Sequence, residues 1–179
     1  MTRSLLFLCV PLAACHVGGG ERSWQFDPAD VRAVSIDFAN GDVVLLAEDT
    51  DVVRVDWEGG GVGRDPMGHA EIIDGVLWVG NACTGTCGGE LDLLVPAGVP
   101  ISAHVDFGDV ELELLERAPV QACLRAGDLD IAVPAGGYVL ALDVGAGDLS
   151  TVGVWGDDQA DTAISACVGA GDLSLRAVD

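Results

Sequence analysis

A Gly-Asp pair recurs along this chain at the same place in a repeated alternating pattern, and this limits the possible folds more than any other feature. Five segments share the shape, running over residues 35–46, 103–114, 122–133, 142–152 and 166–177 around Gly41-Asp42, Gly108-Asp109, Gly127-Asp128, Gly147-Asp148 and Gly171-Asp172. The last four pairs are spaced by 19, 20 and 24 residues, a repeat period that takes precedence over any local reading. Counted from each Gly, the columns at −5, −3, −1, +2 and +4 hold no charged residue, and only Asn40 and Thr151 among them are not apolar. The intervening columns carry Asp37, Asp106, Glu111, Arg125, Asp130 and Asp143. Alternation of period two marks strands with one buried face. The phase breaks at Gly-Asp, because the residues on either side of the pair both face inward. A corner or a tight turn does this: Gly supplies positive φ and Asp can bond nearby backbone.

Two architectures satisfy that parity. In a β-solenoid (β-helix), each unit of about 20 residues is a rung and Gly-Asp is the corner between two strands. In an antiparallel β-meander or sandwich, Gly-Asp is a hairpin turn. Stacking of like units favours the all-β solenoid. It implies that Val105, Leu124, Val144 and Val168 point inward and neighbour one another in chain order.

One stretch carries a resemblance. Leu91 to Pro100, then Ile101 to Val105 leading into Gly108-Asp109-Val110, resembles the bacterial family of candidate adhesins, also described as toast-rack domains of envelope proteins. Members have a β-helical form with repeated Gly-Asp-Val/Leu units. The resemblance covers about residues 31–178. It implies a solenoid and an adhesin-like or scaffolding role, and it carries over no catalytic residue.

The first fifteen residues read as an address. Arg3 gives a positive start, Leu5 to Ala14 is an apolar run too short to span a bilayer, and Ala13-Ala14-Cys15 ends it. This is similar to a bacterial lipoprotein signal, which implies cleavage after residue 14 and a lipid on Cys15. His16 in place of Asp directs sorting toward the outer membrane. Residues 15–30 then read as a tether and 31–179 as the repeat domain. Within that domain, residues 57–89 form an irregular insertion, with a loop at Glu58 to Pro66 and a hairpin turning at Asp74-Gly75.

Four cysteines remain after processing. An even number in an oxidising compartment points to disulfides. Cys83 and Cys87 could close a small ring. Cys123 and Cys167 share the −4 column with Asp143 in the rung between them, about 9–10 Å apart at ordinary strand spacing, beyond the reach of a disulfide. Either they are free thiols or the rungs do not stack in chain order.

That column reads His104, Cys123, Asp143, Cys167, which are ligand types strung along a line where a metal needs them to converge. A second column, Asp109, Asp128, Asp148 and Asp172, offers weak calcium candidates by the preference of calcium for oxygen. The other reading is that each Asp bonds turn backbone. Twenty-nine acids face eight arginines and no lysine, a net charge of −21. Such a field repels nucleic acid and favours cationic surfaces.

No nucleophile elbow, phosphate loop or zinc-protease motif is present, and His69 and His104 are the only histidines in the repeat domain, residues 31–179. The expectation is therefore a non-catalytic, lipid-anchored module without a cofactor that binds a protein or polysaccharide. An envelope-sensing accessory working through a protein partner is one alternative. A β-helical polysaccharide hydrolase is another, and it would need a groove lined by Trp24, Trp57, Trp78 or Trp155.

Overall fold

The structure, a computed structural model, describes residues 17–62, 68–81 and 87–178. Its strands are β1 (Val17–Phe26), β2 (Ala33–Glu48), β3 (Val53–Val62), β4 (Gly68–Ile73), β5 (Val76–Asn81), β6 (Cys87–Pro96), β7 (Ile101–Phe107) and β8 (Val110–Leu114). They continue as β9 (Val120–Ala126), β10 (Leu129–Val133), β11 (Gly136–Val144), β12 (Leu149–Val152), β13 (Val154–Gly156), β14 (Ala163–Ala170) and β15 (Leu173–Ala177). One short 3-10 turn, Pro28–Asp30, is capped by the Asp27 carboxylate, which accepts the Ala29 N–H.

The fold is a β-solenoid. Along one sheet the order is β1-β3-β6-β2-β8-β10-β15-β12, and along the other β4-β5-β2-β7-β9-β14-β11. The pairings within the solenoid are parallel, and β1-β3, β3-β6 and β4-β5, at one end, are antiparallel. Gly-Asp is a corner and not a hairpin turn, because the strands it joins pair with neighbouring rungs and lie in different sheets. The inward columns of both sheets form one core in which Phe38, Leu45, Val105, Leu112, Leu124, Ile131, Val168 and Leu175 are each at most 2% exposed.

The stacking order corrects the expected one. The rung β14/β15 lies between β9/β10 and β11/β12. Val168 therefore separates Leu124 from Val144, and chain-order neighbourhood fails there. Likewise β2 lies between β5/β6 and β7/β8. Within a solenoid any rung presents the same parallel edge to the next, so the hydrophobic pattern assigns no rung its place.

Two boundaries also change. Residues 17–26 form β1 and do not act as a free tether: the strand pairs with β3 along its whole length, with Trp24 and Phe26 packed on the core. Within the span 57–89 the described residues belong to β3, β4, β5, β6 and the Asp74-Gly75 turn. Its glycines serve packing, since a Cβ at Gly59 or Gly68 would collide with the buried Trp57 indole and one at Gly89 with the Glu58 carbonyl oxygen. β4 and β5 make a hairpin through Asp74 (φ 52°) and Gly75 (φ 81°). β5 and β6 then make a rung of their own, with Gly89-Glu90 stacked beside Gly41-Asp42.

Candidate functional site

The corners build a continuous ladder. Gly41, Gly108, Gly127, Gly171 and Gly147 hold φ between 126° and 142°, a region that disfavours any side chain. A Cβ at each would overlap the carbonyl oxygen of the glycine on the rung before it. Only hydrogen fits there. Beside the glycines, Asp42 Oδ1 accepts the Asp109 N–H, Asp109 Oδ1 that of Asp128, Asp128 Oδ1 that of Asp172, and Asp172 Oδ1 that of Asp148, each at 2.9 Å. The four calcium candidates are thus brought into one column in the order Asp109, Asp128, Asp172, Asp148. Each carboxylate but that of Asp148 is held by a backbone amide, the kind of bond that stabilises a carboxylate at a turn. Among the described residues no three His, Cys, Asp or Glu side chains converge as metal ligands.

This column borders the acidic sheet face. A shallow groove runs past Asp42, Glu90, Asp109, Asp128, Asp130 and Asp172. Two of the acids along it are paired with Arg176, which donates to Asp130 at 3.2 Å and lies 3.6 Å from Glu111.

The opposite sheet face carries the second predicted column. Its spatial order is Asp37, His104, Cys123, Cys167, Asp143. Because β9 and β14 are adjacent, Cys123 and Cys167 sit directly opposite each other, Cα atoms 4.6 Å apart, and form a disulfide. The obstacle met in the sequence was the assumption of chain order, with Asp143 placed between the cysteines. His104 is exposed and lies 3.9 Å from Asp106. Arg125 covers the Phe107 ring at 5.4 Å. Cys15 and Cys83 lie outside the described residues, and Cys87 opens β6.

The four tryptophans do not line one groove. Trp57 is buried and Trp24 half-buried, Trp78 is exposed on β5 in the first rung, and Trp155 is exposed beyond the last. The reading as a polysaccharide hydrolase needs an aromatic platform beside its acids, and these positions do not supply one. Tyr138, which sequence reasoning passed over, fixes the last rung: its buried hydroxyl donates to Pro134 O at 2.7 Å and Arg117 lies 4.7 Å from its ring centre. Burial pushes its pKa up, against the opposing pull of the Arg117 charge. An isolated Tyr in a low-aromatic chain gave no periodic signal to find it by.

The chain is similar to a candidate cell adhesion protein from Clostridium sporogenes, with 12% identity and a TM-score of 0.50 over 90% of this chain and 100% of that one. Candidate adhesins from Parabacteroides merdae and Parabacteroides distasonis align at 13% identity, with TM-scores of 0.36 over 90% of this chain and 96% of that one, and 0.30 over 89% and 98%. At such identity the first likeness bears on the fold alone. No family model matches the chain, and no characterised protein matches it by sequence.

Proposed function

We propose that the chain is a non-catalytic, adhesin-like binding module held at the cell envelope by a lipid on Cys15. The observation that carries this reading is the Cys123–Cys167 disulfide on a half-exposed sheet face, since such bonds persist in oxidising compartments outside the cytoplasm. The acidic faces favour a cationic protein surface as ligand. The rigid ladder supports the reading further, because a scaffold whose corners admit only glycine holds its outward side chains in fixed rows.

Protease treatment of intact cells, followed by fractionation, tests it. The expected result is cleavage on unbroken cells, membrane association of the wild type, and release of a Cys15→Ser variant. Resistance on intact cells with cleavage after permeabilisation assigns the chain to an internal envelope accessory and ends the adhesive reading.

A further inference from the structure

The two ends of the solenoid differ. At one end antiparallel β1, β3 and β4 cover the stack. At the other the last rung, β11/β12, has one parallel neighbour, β14/β15, and among the described residues nothing beyond it but β13 along Gly136–Tyr138. In the rung beneath, Ile164, Val168, Leu173 and Leu175 are buried. Their counterparts in the last rung are not: Leu140 and Val144 are half-exposed, Leu149 is 49% exposed and Thr151 is exposed. The column of core side chains is cut open at this end.

The hydrogen bonding is cut in the same place. Val43, Val110, Leu129 and Leu173 each donate their N–H to the C=O of the Asp on the next rung, at 2.9 Å. The next donor in that series is the Leu149 N–H, and the next acceptor in the carboxylate series is Asp148 Oδ1. Among the described residues neither has a hydrogen-bond partner. Along the ladder one residue serves both groups, giving its N–H to the carboxylate and its C=O to the amide. A single residue of an incoming extended segment would satisfy both.

Charge decides the occupant. Residues 126–175 hold eight Asp and no Lys, Arg or His, and Arg176 is engaged by Asp130 and Glu111. A second copy docking end to end would bring the same acids against them, and one docking head to tail would present β1 and β4, which pair antiparallel and lie outside the Gly-Asp ladder. The geometry points to a cationic, extended segment of another protein that adds to β12 as a further strand, its backbone completing the ladder and its Lys or Arg side chains set among these acids. The inference rests on the binding-module reading and gives that module its site.

A fluorescein-labelled nonapeptide of alternating lysine and threonine, titrated into the purified full chain, tests it by anisotropy and Trp155 fluorescence. Alternate residues of a parallel strand bond to opposite sides, and Asp148 C=O accepts the Leu173 N–H. Ser150 and Val152 therefore face β15, while Leu149 and Thr151 face outward. Thr151→Pro blocks the outer edge and leaves the bonds to β15 in place. The expected result is saturable binding that Thr151→Pro weakens about tenfold. A variant with Asp157→Asn, Asp158→Asn and Asp161→Asn, all in the β13–β14 connection, keeps the edge and should lower the salt dependence without abolishing it, since five of the eight Asp remain. An alternating glutamate–threonine peptide should not bind. Equal affinity for wild type and Thr151→Pro, or no binding, overturns the proposal. A dimer in sedimentation that Thr151→Pro dissolves also overturns it and assigns the edge to a second copy. If the peptide fails while intact cells are still shaved, the binding-module reading stands and this site falls. If the peptide binds while cells resist protease, the site stands and the surface location falls.

Discussion

Replacing Gly127 by alanine is the most direct test of the corner ladder. Gly127 holds φ 133° and a Cβ there would overlap the Gly108 carbonyl oxygen, which is backbone and cannot swing aside. Two costs add. Holding a residue with a side chain in this region costs about 1–3 kcal/mol. Relieving the overlap pushes two rungs apart and loosens the 2.9 Å bond from the Asp128 N–H to the Asp109 carboxylate, a charge-assisted contact worth about 1.5–3 kcal/mol. The sum, about 2.5–6 kcal/mol, is a large part of the 5–15 kcal/mol typical of a folded domain. With a urea slope of about 2–3 kcal/mol per molar, the unfolding midpoint should fall by about 1–3 M, read by circular dichroism at fixed protein concentration. Gly156→Ala is the control. Its Cβ would meet nothing within 4 Å, so its midpoint should stay within the spread of about 0.5 kcal/mol expected for a surface change. A Gly127→Ala variant that unfolds with the wild type, or a Gly156→Ala variant that loses as much, would refute the ladder as the source of stability.

The remaining outcomes concern other contacts. Asp128→Asn keeps an oxygen for the Asp172 N–H and should cost less than about 1 kcal/mol, whereas Asp128→Ala leaves that amide without its acceptor and should cost about 1–2 kcal/mol; urea melts of the pair separate the two. Cys123→Ser removes a cross-link spanning 44 positions, for which chain entropy gives about 4 kcal/mol, and the same loss should appear on reduction of the wild type. Tyr138 has its pKa raised from 10.0 by burial, so the unfolded chain ionises first as pH climbs. Stability from this group is complete below about pH 10 and declines above it. Tyr138→Phe should flatten that alkaline decline in melting temperature while lowering stability near neutrality by about 1 kcal/mol, through loss of the bond to Pro134.

The cross-section of the solenoid was readable from the sequence because parity is local. Ile36, Phe38, Val43 and Leu45 announce an inward face on each side of Gly41-Asp42 whatever lies next to them. The order of the rungs was not, since Leu124, Val144 and Val168 are interchangeable in size and polarity and each could stack on either of the others. Only Cys123 and Cys167 carried that information, as a spacing conflict that chain order could not satisfy. The rung formed by β5 and β6 was hidden for a different reason. Gly80 pairs with Asp37 and Gly89 with Gly41, so nine positions on one rung match four on the next, and the extra residues displace Gly89-Glu90 from the expected period. Similarly, the glycines after Trp57 look like a loop until the indole they accommodate is seen. The open end could not be foreseen, because Leu149 has the same inward pattern as its buried counterparts and differs only in lacking a neighbour beyond it.

The placement of β14/β15 between β9/β10 and β11/β12 has a consequence for how the chain acquires its form. Residues 136–152 have no rung to settle on until residues 163–177 have been delivered, because their seat is built from those later residues. Until then Leu129, Ile131 and Leu124 face water and Cys123 lacks its partner. A growing chain therefore cannot complete this part of the molecule in the order of its residues; β14/β15 must stack on β9/β10 before β11/β12 can stack on them. The bond between Cys123 and Cys167 can form only after β14 lies beside β9, so the interleaved order makes this cross-link a late event and a clasp on the finished stack.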